Sequence, residues 1–188
     1  MEWFLIKKIA VLISVFLLLS VLFIFYQHNQ PPVAKDITNS KQAGAINVLT
    51  IEKIGGGWFS LYYNHQQEIK LGFLEQNVLG TWEVNSVDNR EEAKREPFEA
   101  GIYWNVESSP GSQKCYYYGA ASNQIVEKIK LSINEESYKV LDLKSSGTSN
   151  VRYFLEVHDD DECGPYHFKA VSEGGHLIAE EKVFSNTY

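Results

Sequence analysis

The run Ile9-Ala-Val-Leu-Ile-Ser-Val-Phe-Leu-Leu-Leu-Ser-Val-Leu-Phe-Ile-Phe-Tyr26 holds 18 residues without a charge. A helix that is apolar on every side has no solvent face, so this segment limits what the chain can be more than any other. At 1.5 Å per residue it spans about 27 Å, close to the ~30 Å hydrocarbon core of a bilayer. Ser14 and Ser20 are tolerated there because a serine hydroxyl bonds back to its own helix. Lys7 and Lys8 precede the run, and the uncharged Gln27-His-Asn-Gln-Pro-Pro32 follows it. The positive-inside rule then makes residues 1–8 cytoplasmic and 9–26 a transmembrane signal-anchor, with the remainder extracytoplasmic. A cleaved signal peptide is the competing reading. The run exceeds the usual apolar region of about 7–15 residues, and no small-x-small pair follows it closely. No cysteine near its end offers a lipid anchor. The expectation is a single-pass cell-membrane protein, N-terminus in the cytoplasm and C-terminal domain extracellular.

Residues 27–45 are polar, contain Pro31-Pro32 and show no period, and so read as a flexible linker with a reach of about 25 Å. Beyond Tyr26, 15 Lys and Arg stand against 23 Asp and Glu, a net charge of −8. Phosphate contacts need cations, so nucleic acid is excluded as a partner. Residues 46–188 are enough for one domain with its own core.

Within that domain the signal is alternation of apolar and polar residues in short runs. Ile69, Leu71 and Phe73 alternate, as do Ile129, Leu131 and Ile133, and Val151, Tyr153, Leu155 and Val157. Further candidate strands are Gly57–Tyr63, Leu79–Val87, Gly101–Val106, Lys114–Gly119, Tyr138–Leu143, Tyr166–Val171 and Leu177–Phe184. Turn signals separate them, among them Asn64-His65, Ser108-Ser-Pro-Gly111, Ser145-Ser-Gly147 and Glu173-Gly-Gly175. Aromatic residues make up 13% of the chain, and they favour strands. The fold class is therefore all-β, an antiparallel sandwich or barrel-like domain behind one transmembrane helix. Asp88–Pro97 reads either as a short helix, capped by Asp88 and braced by Glu91 and Arg95, or as a solvated loop.

Val78-Leu-Gly-Thr-Trp-Glu-Val84 following Leu71-Gly-Phe-Leu-Glu75, then Tyr117-Tyr-Gly-Ala120 and the closing Phe168–Val171 and Gly175–Ile178, resemble a pattern in small membrane-anchored extracytoplasmic proteins of Bacillus-type bacteria. Thr81 departs from it, standing where a second aromatic or basic residue is common. Those proteins have no assigned activity, so the resemblance implies a location and a β fold and carries no catalytic residues.

Cys115 and Cys163 are the only cysteines. An even pair in an oxidising compartment is most simply a structural disulfide. A membrane anchor before a β domain also describes the sortases, which need a His, a Cys and an Arg, and His65, Cys115 and Arg152 occur in that order. Cys115 follows Ser-Gln-Lys, however, where that family has Thr-Leu-x-Thr, and Cys163 is at hand to oxidise a thiolate. No catalytic residue is assigned. The acidic stretch His158-Asp-Asp-Asp-Glu-Cys-Gly164 makes His158, Asp159, Asp161 and Glu162 candidate ligands for Ca²⁺, or with His167 for Zn²⁺ or Cu²⁺. The twelfth position of an EF-hand reading is Ala170, so its bidentate carboxylate is missing, and a solvated acidic turn is the competing reading. Tyr116-Tyr117-Tyr118 and Tyr103-Trp104 read as a ligand platform or as core. Gly-x-Ser-x-Gly, Ser-x-x-Lys and glycine-rich phosphate loops are absent, and no cofactor is implied.

Together these features describe a tethered domain that binds a protein or a cell-envelope component. An envelope-acting hydrolase or transpeptidase-like enzyme, and a divalent-metal sensor using residues 158–162, are the alternatives.

Overall fold

Uniform apolarity does produce one long helix, α1 (Glu2–His28). From Lys7 to His28 it is long and apolar enough to cross a membrane, and none of that stretch is buried in the protein. Ser14 and Ser20 donate to the carbonyls of Ala10 and Phe16, each at 2.9 Å, so neither hydroxyl is left without a partner. These features come from a computed structural model, which describes residues 2–40, 43–86, 101–108, 113–147, 150–159 and 163–184. Asp88–Pro97 lies outside the described residues.

Among the described residues, three four-stranded antiparallel sheets follow. The first, in the order β1-β2-β3-β4, comprises β1 (Ala45–Ile54), β2 (Gly57–Asn64), β3 (Ile69–Gln76) and β4 (Trp82–Ser86). The second runs β5-β6-β10-β9, from β5 (Ile102–Ser108), β6 (Lys114–Ala121), β9 (Lys144–Ser145) and β10 (Arg152–Asp159). The third runs β12-β11-β7-β8, from β7 (Lys128–Ile133), β8 (Lys139–Asp142), β11 (Tyr166–Val171) and β12 (Leu177–Val183). The arrangement is sandwich-like, with the second sheet in the middle. Its strand β6 is buried from Cys115 to Ala121. Alternation divides that strand between two cores. Tyr116, Tyr118 and Ala120 pack with Phe59, Leu61 and Leu71 of the first sheet. Cys115, Tyr117 and Ala121 pack with Leu131, Tyr166 and Phe168 of the third. The ring of Trp104 stacks on Phe168, centroids 5.2 Å apart, between the second and third sheets. Thus the aromatic clusters Tyr116–Tyr118 and Trp104 are core, not a ligand platform.

Polar side chains tie the layers as well. Glu52 of β1 accepts from Lys144 Nζ at 2.6 Å and from the Tyr153 hydroxyl at 2.7 Å, joining the first sheet to the second. Burial pushes the Glu52 carboxyl up, but the hydrogen bonds from Lys144 and Tyr153 and the lysine's charge outweigh it and hold it below its ordinary value. Inside the first core, the Tyr118 hydroxyl donates to Glu107 and accepts from Asn105 Nδ2 at 3.2 Å. Burial, helped by the Glu107 charge, pushes the Tyr118 phenol well above its usual range.

The stretch 27–45 differs from the flexible linker expected of it. Pro32 is buried, and α2 (Ala34–Thr38) forms between it and β1 with Ile37 buried, the Asp36 carboxylate accepting from the Val33 N–H at 2.8 Å. Ile37 and Ala43 cover the outer face of the first sheet with Val48, Tyr62, Leu74 and Val84. One fully buried isoleucine suffices to dock a five-residue helix that has no stability of its own.

Candidate functional site

Most residues singled out in the sequence serve the architecture. Cys115 and Cys163 are bonded, with Cα atoms 5.3 Å apart, and staple β6 to the segment entering β11. Bonded sulfur has no thiolate to offer, and Arg152 donates to the carbonyls of Asn123 (3.1 Å) and Val126, holding the loop after β6. His65 lies exposed in the β2–β3 turn. The His, Cys and Arg of the rejected transpeptidase reading are thus committed elsewhere or dispersed. His158 sits opposite Cys115 across the β10–β6 ladder, and Asp159 lies 3.9 Å from Lys114. Asp161 and Glu162 lie outside the described residues. Among the described residues no three His, Cys, Asp or Glu side chains converge to hold a metal ion.

Among the described residues, two of the concave features combine polar groups with sheet or helix surfaces. The first lies on the third sheet, a cleft of about 300 Å³ lined by Ser132, Glu135, Tyr138, Pro165, His167 and Lys182, among others. Its floor comes from the β7–β11–β12 ladder, in which His167 faces Ser132 on one side and Lys182 on the other. One rim is the turn Ile133–Glu136, closed by the Glu136 N–H to the Ile133 carbonyl at 3.0 Å. Asn134 and Glu135 both take positive φ there, 51° and 63°. For a glutamate that conformation is uncommon and strained.

From Tyr138 and His167, which line the cleft, a chain of hydrogen bonds leads on to Glu180 beside it. The Tyr138 hydroxyl lies 2.6 Å from His167 Nδ1, and His167 Nε2 lies 3.2 Å from a Glu180 oxygen. A neutral imidazole with its proton on Nε2 satisfies both: it accepts from the tyrosine and donates to the carboxylate. Lys169 stands over the Tyr138 ring at 4.9 Å and 3.9 Å from Glu180, and Lys182 lies 3.8 Å from Glu135. Ser132, whose hydroxyl also lines the cleft, donates to the Glu136 carbonyl at 2.6 Å and so is engaged as a turn residue. The cleft therefore offers fixed donors and acceptors of both signs on a rigid sheet. Sequence reasoning touched only His167, as a companion of the acidic turn. Tyr138, Glu180 and Glu135 escaped it, because their partners are set by strand register rather than by spacing.

The second feature is a groove of about 930 Å³ between α1 and the β3–β4 hairpin. Gln76 Nε2 donates to the carbonyls of Gln27 and Gly80, each at 3.3 Å, and Trp82 Nε1 donates to the Gln30 carbonyl at 3.0 Å. The His28 ring lies 3.2 Å from the Val78 carbonyl through Nε2 and 3.3 Å from Gln76 Oε1 through Nδ1. The domain is thus fastened directly to the end of the apolar helix.

In comparison with known proteins, no family model, no curated protein and no solved structure matches this chain.

Proposed function

We propose that this is a single-pass membrane protein whose β domain stands outside the cytoplasm and works by binding a protein or an envelope component. Lys7 and Lys8 ahead of the apolar stretch support the orientation, and a disulfide is in keeping with an oxidising compartment. The observation that carries the binding reading is the cleft around His167. It is built from cross-linked polar side chains on and beside sheet strands, and the Ser132 hydroxyl that lines it is engaged by backbone. Such preset donors and acceptors recognise a polar ligand without having to be ordered first. The net charge of −8 beyond Tyr26 favours a basic partner and salt-sensitive association.

A second reading has one specific observation behind it. Tyr138, His167 and Glu180 stand in the order hydroxyl, imidazole, carboxylate, which is also how a base is oriented for proton transfer. That favours an envelope-acting enzyme.

One experiment separates the two. A photo-crosslinking residue at position 138 of the intact anchored protein, in living cells, should capture a discrete partner, and Lys182→Glu should abolish the capture. Hydrolysis of peptidoglycan or peptide substrates that disappears in His167→Ala would replace binding with catalysis. Proteolysis of intact protoplasts checks the orientation: the β domain should be digested from outside, and its survival would reverse the topology.

A further inference from the structure

We propose that the β3–β4 turn, residues 77–81, inserts into the same bilayer that α1 crosses, with Val78 and Leu79 as the inserted side chains. This rests on the reading of α1 as a membrane span. Val78 is 88% exposed and Leu79 61%, adjacent at the tip of a hairpin that carries no charge from Asn77 to Thr81. Two neighbouring apolar side chains so fully presented suit a non-aqueous partner, and the bilayer around α1 is one.

The turn is placed at the level where the apolar helix ends. A Cβ on Gly80 would lie 2.9 Å from both Gln27 Cβ and His28 N, so turn and helix are in direct contact there. Leu79 lines the groove together with Leu19, Phe23 and Ile24, residues well inside the apolar run. Wherever the bilayer meets α1 near Tyr26, it therefore meets Leu79 as well. Trp82, bonded to the Gln30 carbonyl, stands on the water side of the turn, the level at which tryptophans gather in membrane proteins.

Most of the turn's backbone groups are also prepared for a dry environment. Hydrocarbon tolerates only peptide groups that are already paired. Asn77 Oδ1 accepts from the N–H groups of Leu79 (2.9 Å) and Thr81 (3.1 Å), and the Asn77 carbonyl accepts from Gly80 N–H at 2.9 Å. The carbonyls of Val78 and Gly80 face His28 Nε2 and Gln76 Nε2. Two carboxylates near the turn have partners of their own: Glu83 accepts from Asn77 Nδ2 at 2.7 Å, and Asp36, which lines the groove, from Val33 N–H at 2.8 Å.

The disulfide leaves the full-length protein without a free thiol, so one added cysteine can carry a fluorescent probe. The protein is reconstituted in phosphatidylethanolamine and phosphatidylglycerol vesicles containing lipids spin-labelled near the headgroup end of the acyl chain. A probe at Val78→Cys should shift to the blue and lose its emission to the spin label as a probe at Tyr26→Cys does. A probe at Leu177→Cys, on β12 of the third sheet, reports the aqueous value. If the Val78 probe behaves like the Leu177 probe while Leu18→Cys is quenched, insertion of the turn is overturned and the span stands. If Leu18→Cys is unquenched too, the span itself fails and the inference with it.

Discussion

Gly80 can carry no side chain because α1 occupies the space: a Cβ there would stand 2.9 Å from the backbone nitrogen of His28. Its φ of 80° is a second reason, since alanine in that conformation is disfavoured by about 1–2 kcal/mol. Gly80→Val should therefore separate hairpin and helix. Amide exchange over residues 27–33 should speed up while exchange in β6 and β11 stays slow. Unchanged protection at 27–33 would show that the other contacts hold the helix by themselves.

Cys115 and Cys163, 48 positions apart, close a loop whose entropy is worth about 4 kcal/mol on the chain-entropy account, less any strain. Cys115→Ser should lower the melting temperature by roughly 10 °C, given about 2–4 °C per kcal/mol for a domain near this size. Alkylating the denatured, unreduced wild-type protein should add no mass, and labelling of both cysteines would refute the bond.

Tyr118 donates to a carboxylate inside the first core, a charge-assisted bond. Tyr118→Phe should cost about 2 kcal/mol in urea unfolding, because the Glu107 carboxylate loses a donor it cannot replace with water. The raised phenol value also favours the folded state at ordinary pH and withdraws that stability as pH climbs through the folded value. Ultraviolet titration should accordingly find one fewer tyrosine that ionises only as the protein unfolds in alkali in Tyr118→Phe than in the wild type.

Glu52 gives the opposite dependence. Held below its ordinary 4.5 when folded, its carboxyl binds fewer protons in the native state than in the unfolded one. The stability it contributes is complete above that value and is lost as pH falls through the folded value. Between neutral pH and pH 3, Glu52→Gln should lose less stability than wild type. Equal losses would assign the acid sensitivity to other carboxylates.

Much of the strand pattern was legible where alternation runs without interruption. Tyr166–Val171 forms as read, and Gly57–Tyr63 extends by one residue to Asn64. β1 was harder, for a physical reason. Its register shifts between Ala45 and Asn47 and again between Val48 and Thr50, and each shift breaks the two-residue period on which the reading depends. α2 hid because five residues with one buried isoleucine carry no period at all. In the cleft, Asn134-Glu135 lacks the glycine that usually marks a left-handed turn, and His167 meets Glu180 only through the β11–β12 ladder. Side-chain chemistry was written in the chain; which chemistry meets which was not.

The inner strand β6 of the middle sheet has a further property. Tyr116, Tyr117 and Tyr118 are interchangeable letters, so sliding β6 by one place would still present a tyrosine to each core. The aromatic run thus leaves the pairing ambiguous, although it fills most of the space. What removes the ambiguity lies at its two ends. Cys115 must meet Cys163, and only at position 119 is there a residue small enough to pass beneath the Tyr103 carbonyl, which a Cβ would approach to 2.2 Å. Gly119→Ala would accordingly erase the mark by which this strand keeps its place, and such a chain should lose a single pairing before it loses its β content.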